Sequence, residues 1–127
     1  MRCVHPPAIL LAILLTECEK ENAPLTSHGK PVSHRLEELK KPDAKARKKA
    51  VQALEHVGTA DPTAIPALIG AVRDRDATVR STAILALLNI GPDAKDALPV
   101  LNDALKDTDA MVRSYAAKAV QQIQGGQ

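Results

Sequence analysis

Three stretches of this chain fall into one frame when the sequence is slid against itself. "DAKARKKAVQALEHVG" at 43–58, "DATVRSTAILALLNIG" at 76–91 and "DAMVRSYAAKAVQQIQ" at 109–124 repeat with a step of 33 residues. A period of that length marks one supersecondary unit used several times, and a unit so thin cannot bury its apolar face alone. Neighbouring units must stack into one continuous core, for which three copies are about the minimum.

The apolar columns of the alignment say what each unit is made of. Ala50, Leu54 and Val57 align with Ala83, Leu87 and Ile90 and then with Ala116, Val120 and Ile123. Within each copy these lie at i, i+4 and i+7, one stripe of an α-helix. A second set precedes it, Val32, Ile65 and Leu98 followed by Leu39, Val72 and Leu105, so each unit holds two helices. Asp43, Asp76 and Asp109 stand just before the second helix of each copy, where a carboxylate accepts from free N–H groups and opposes the positive helix end. Gly58 and Gly91 are expected to close second helices in a left-handed conformation. Pro62 and Pro92 are expected to open the following first helices. Pro66 and Pro99 belong either to a first turn or to a kink.

Composition supports helices. With no Phe, no Trp and only Tyr115, the core must be built from Ala, Leu, Ile and Val. A sandwich or barrel would normally place aromatic and β-branched residues on its strands. The small column Ala50, Ala83 and Ala116 suits helices that approach closely. The formal charge of +2 is too small to imply a nucleic-acid partner, although residues 26–58 alone carry +4.

The opening "MRCVHPPAILLAILLTECEKENAPL" at 1–25 sets Arg2 before an apolar run from Ala8 to Leu15 and then turns acidic. That is the layout of an export signal, with an apolar segment of about 7–15 residues. A bilayer span needs about 20. "LLTEC" resembles a bacterial lipoprotein signal in which Cys18 would be lipidated, but Glu17 occupies the place that family gives to Gly, Ala or Ser. The expected location is therefore exported or envelope-attached. A helix covering the open end of the stack is the alternative, and a cytoplasmic protein follows if the segment is not a signal. Cys3 and Cys18, both ahead of the repeats and in no C-x-x-C pair, offer no disulfide framework.

"PALIGAVRDRDATVRSTAILALLNIG" (66–91) and "PVLNDALKDTDAMVRSYAAKAVQQI" (99–123) resemble HEAT repeats, and within them the HEAT-like class named after phycobilisome lyases. The resemblance rests on a Pro and Leu in the first helix, a D-x-D turn, then "VR" and an Ala-rich second helix. It covers about 26–124. The first copy departs from it: "KPDAKAR" keeps Asp43 and Arg47 but has Lys41 for the first acid and Ala46 for Val. The resemblance implies an all-α fold, a right-handed α–α superhelix of about three two-helix repeats at 26–58, 59–91 and 92–124. It implies a structural role for the turn acids Asp43, Asp76 and Asp109 and for Arg47, Arg80 and Arg113, each Arg bridging to carboxylates or carbonyls of its own or the next repeat.

No catalytic constellation is visible. HExxH, GxSxG and a phosphate loop are all missing from the sequence, and His5, His28, His34 and His56 lack the spacing that gathers a metal. The acids of "DRD" and "DTD" have no EF-hand loop around them. The expectation is no cofactor, no metal and no enzyme activity. Some relatives implied by the resemblance attach bilins or excise damaged bases, but those activities call for a longer curve of helices and more aromatics than one Tyr. An accessory subunit of a bilin lyase or similar enzyme is the runner-up.

The first expectation is a scaffold that binds a protein through its second helices, which line the concave side in the HEAT family. The exposed stripe predicted from the alignment is Lys48, Gln52 and Glu55, then Ser81, Leu85 and Leu88, then Ser114, Lys118 and Gln121. Leu85 and Leu88 occupy columns that are polar in both neighbours, so they either form an apolar spot in a polar groove or pack beneath another segment. Lys40, Lys41, Lys45, Arg47, Lys48 and Lys49 form a basic cluster where a helix opens, an unfavourable place for positive charge. An anionic surface or nucleic acid is a further alternative for it. Without interleaved aromatics, nucleic acid is the poorer option. A membrane enters only through the leader or a lipid on Cys18.

Overall fold

The computed structural model describes residues 31–126. The leader at 1–25, Cys18, His28 and the start of the first repeat lie outside the described residues.

The chain forms α1 (Val32–Glu38), α2 (Ala44–Gly58), α3 (Ala64–Ala71), α4 (Ala77–Ile90), a 3-10 segment (Gly91–Ala97), α5 (Leu98–Ala104) and α6 (Ala110–Gly125). The second helices form the inner contact, α2 on α4 and α4 on α6, with the first helices laid against them. The result is an all-α, α–α superhelix in which each pair leans mainly on its neighbours, as stacked repeats must.

The turn acids start the second helices. Asp76 Oδ1 accepts from the backbone N–H groups of Thr78 (2.9 Å) and Val79 (3.1 Å) and from the Thr78 hydroxyl. Asp109 Oδ1 accepts from the Val112 N–H at 3.0 Å, and Asp43 Oδ1 from the Lys45 N–H at 3.2 Å. Pro66 and Pro99 both sit in first turns, where the missing N–H costs nothing, and neither kinks its helix.

Three expectations about punctuation need correction. Pro62 does not open α3. It lies in the turn before it, where Asp61 Oδ1 accepts from the Thr63 N–H at 3.0 Å and from the Thr63 hydroxyl at 2.7 Å, and the helix begins at Ala64. Pro92 starts the 3-10 segment and not α5, which begins at Leu98. Gly58 is not left-handed, since Gly91 (φ +78°) is the positive-φ glycine among the described residues. Proximity accounts for Gly58 instead: a Cβ there would lie 2.6 Å from Ile90 Cδ1, so its lack of a side chain admits Ile90 from the next repeat.

The aliphatic seam runs through the alanine column. Ala50, Ala83 and Ala116 are wholly buried, as are Leu54, Leu87 and Ile123. Helix α4, held between α2 and α6, also buries Val79, Ile84, Ala86 and Ile90, so little of its surface is free to be polar. Coverage fails at the far end. Leu105 is 38% exposed although its counterpart Val72, overlain by the third repeat, is 3% exposed.

With no space at the seam, Ala83→Leu should overpack it and lower stability by about 1–3 kcal/mol. A urea denaturation midpoint equal to wild type would show that the column is not interior.

Candidate interaction surface

A ladder of ion pairs fixes how one repeat sits on the next. Arg47, 5% exposed, donates from Nε to Asp74 Oδ2 at 2.9 Å and from Nη2 to Asp74 Oδ1 at 3.0 Å. Its Nη1 donates to the carbonyls of Lys41 (2.9 Å) and Pro42 (2.8 Å) in its own turn. Arg80 repeats the arrangement one unit along. Nη2 donates to Asp107 Oδ1 at 3.0 Å, Nε stands 3.0 Å from Asp107 Oδ2 as a charge contact without hydrogen-bond alignment, and Nη1 donates to the Asp74 carbonyl at 2.8 Å. Each fork thus closes on a carboxylate 27 residues ahead. Arg113 keeps the contacts to its own turn, to the carbonyls of Asp107 (2.7 Å) and Thr108 (3.1 Å), and is exposed.

The receiving acids also build their own turns. Asp74 Oδ1 accepts the Asp76 N–H, and Asp107 Oδ1 the Asp109 N–H, both at 2.9 Å. The first acid of D-x-D therefore orders the turn and takes the preceding repeat's arginine, while the second caps the helix. The degenerate first copy follows from this division of labour. Asp43 is kept because a helix still starts there, whereas Lys41 stands where an acid would wait for an arginine 27 residues earlier, a position occupied by Leu14.

These surroundings shift the acids. Burial would raise the Asp107 carboxyl, but the Asp109 N–H and the Arg80 guanidinium together hold it below the usual carboxylate value. The Thr78 hydroxyl, with the Val79 N–H, lowers Asp76. The Asp74 carboxylate raises the Arg47 guanidinium.

The ladder aligns the second-helix face on which the partner residues were expected. Gln52, Lys49, Ser114, Lys118 and Gln121 are exposed there, whereas Lys48, Glu55, Ser81, Leu85 and Leu88 are half-buried. Leu88 packs against the core at its edge. It also lines a shallow cleft of about 320 Å³ with Lys118, Gln121 and Gln122. The Ser81 hydroxyl donates to the Thr78 carbonyl, and Lys118 Nζ lies 5.9 Å from the centre of the Tyr115 ring.

Two residues unmarked in the sequence join the helices across this face. Asn89 donates to Glu55 Oε1 at 2.7 Å, and Gln122 reaches the Leu88 carbonyl at 3.5 Å, each spanning 34 residues. Asn89 and Gln122 share one alignment column, which is the signal that could have exposed them. The basic cluster is divided: Arg47 is committed to the ladder, and Lys40 meets Glu37 at 3.0 Å. No group of three His, Cys, Asp or Glu gathers among the described residues as metal ligands.

The family model describing HEAT repeats matches residues 32–121. The chain belongs to the HEAT-repeat family. HEAT repeats generally mediate protein–protein interaction as scaffolds. Two crystal structures of engineered proteins from the Northeast Structural Genomics Consortium are similar to this HEAT-repeat chain. One has a TM-score of 0.62 at 25% identity over 75% of this chain and 46% of its own. The other has a TM-score of 0.55 at 27% identity over 73% and 27%. The chain thus spans under half of either. No curated protein matches it.

The lowered Asp107 value has a definite pH consequence. Stability from a depressed carboxyl is fully present above its unfolded value near 4 and is lost as pH falls through the folded value. Asp107→Asn should therefore cost about 1–3 kcal/mol at pH 7, and the gap from wild type should narrow below about pH 4. Urea midpoints at pH 7 and pH 3 measure both, and an equal gap at the two pH values would contradict the ladder's part in it.

Proposed function

We propose that this HEAT-repeat chain is a non-catalytic interaction module that takes a protein segment across its second-helix face. The observation that carries the reading is the cleft where half-buried Leu88 meets exposed Lys118 and Gln121 on the adjoining helix. An apolar floor, a cation and amide groups at its rim fit a segment that presents one aliphatic side chain beside a carboxylate, with backbone groups for the amides to bond. The glutamine and asparagine rungs preorganise the face, which reduces the ordering cost of binding.

Export belongs to the same proposal, through the leader-like segment 1–25 with Cys18 as a lipid acceptor. It is supported by the charge and hydropathy layout of that segment. An intact mass of the native protein that retains Met1 would remove it.

Affinity capture with the wild-type chain and with Leu88→Glu, followed by mass spectrometry, tests the binding reading. The expected result is a protein retained by wild type and lost with Leu88→Glu and with Lys118→Glu, at unchanged helicity by circular dichroism. The same proteins captured by all three chains would overturn it.

A further inference from the structure

The two helical layers are charged with opposite sign. Helices α2, α4 and α6 together hold seven Lys and Arg residues and one acid, Glu55, whereas the other described residues hold seven cations and eleven acids. Folding does not call for that division. None of the three second helices has an acid in its first turn, where a carboxylate would offset the positive helix end, and α2 places Lys45 there instead. The positions three and four residues from Lys49 and from Lys118 hold no acid either, so the pairs that ordinarily stabilise an exposed helix face are missing. Both lysines are exposed and, among the described residues, in no ion pair. Glu55 does not neutralise them, since its Oε1 accepts from Asn89 at 2.7 Å. This face is not an end of the stack: Lys49, Gln52 and Asn89 are exposed on α2 and α4 although a following repeat lies on each.

On the reading that this face binds a protein segment, we propose that the segment is acidic, with two carboxyl side chains about five or six residues apart, one toward Lys49 and one toward Lys118, and an aliphatic side chain between them over Leu85 and Leu88. Lys49 and Lys118 stand two helices apart. At about 8–10 Å between packed axes that is about 16–20 Å, a span covered by about five or six extended residues at about 3.3 Å each. Half-buried Leu85 and Leu88 lie between the two cations on α4, which places the apolar contact mid-way. A nucleic-acid strand fits less well. It carries a phosphate at every nucleotide, and Thr82, Leu85 and Leu88 would face several of them with no cation. The chain's own acids Glu17, Glu19 and Glu21 fit less well too, because they lie closer together than that span, with Lys20 among them and no aliphatic side chain between them.

The test selects short random peptides displayed on phage against the immobilised full chain. Peptides enriched on wild type should carry two acids at that spacing around an aliphatic residue. The double variant Lys49→Glu/Lys118→Glu, at unchanged helicity by circular dichroism, should enrich Lys or Arg at the same two places. By fluorescence anisotropy, a synthetic copy of the commonest wild-type peptide should bind the double variant about tenfold or more weakly. It should bind the triple variant Glu17→Gln/Glu19→Gln/Glu21→Gln as it binds wild type. No enrichment, or the same peptides from wild type and the double variant, would overturn the proposal. Peptides that are lost with Leu88→Glu but have no excess of acids would overturn it while leaving the second-helix reading intact. Tighter binding by the triple variant would give the face to the chain's own acids, and single-stranded DNA bound more tightly than the peptide and indifferent to Leu88→Glu would give it to nucleic acid. Either result would overturn the proposal.

Discussion

A guanidinium from one repeat closing on a carboxylate from the next is the interaction that gives this stack its spacing. Burial of aliphatic side chains supplies most of the driving force, but it is non-directional and only weakly distinguishes one register of stacked helices from another. The Arg47–Asp74 fork is directional, with two parallel bonds whose geometry is met at one offset. Because the same arginine is tied to the carbonyls of its own turn, each fork links two turns and a helix at once.

Side-chain size complements that constraint. Fully buried alanines at 50, 83 and 116 bring the second helices close, and Gly58 makes room for Ile90 between repeats. Close approach in turn lets short amides act across the face: Asn89 reaches Glu55, and Gln122 reaches Leu88. The face offered to a partner therefore depends on packing beneath it. A larger residue in the seam would separate Leu88 from Lys118 without touching either.

Much of this was legible in the sequence because the repeat shows each feature three times. The helix stripes, the alanine column and the capping acids recur in register, and recurrence separates them from accident. What depended on contact between repeats was harder to read. The alignment placed Arg47, Arg80 and Arg113 in one column but not their partners, although acids at 74 and 107 with a lysine at 41 trace the acceptors. At Gly58 the sequence is ambiguous, because a glycine ending a helix looks the same whether it is needed for a positive φ or, as here, for a close neighbour. The periodicity of one helix does not register cover from its neighbours. Flanking helices half-cover Glu55, Ser81, Leu85 and Leu88, and the central repeat has the most cover because it has neighbours on both sides. Pro62 and Pro92 occupy different places because one connection is an Asp-anchored turn and the other a 3-10 segment.

The claim that paired turns set the register is tested most directly by a double-mutant cycle on Arg47 and Asp74. Urea unfolding of Arg47→Gln, Asp74→Asn and the double variant should show strongly non-additive losses, the double variant being little worse than the poorer single one. Losses that simply add would mean that the two side chains act independently and that the seam alone sets the stack.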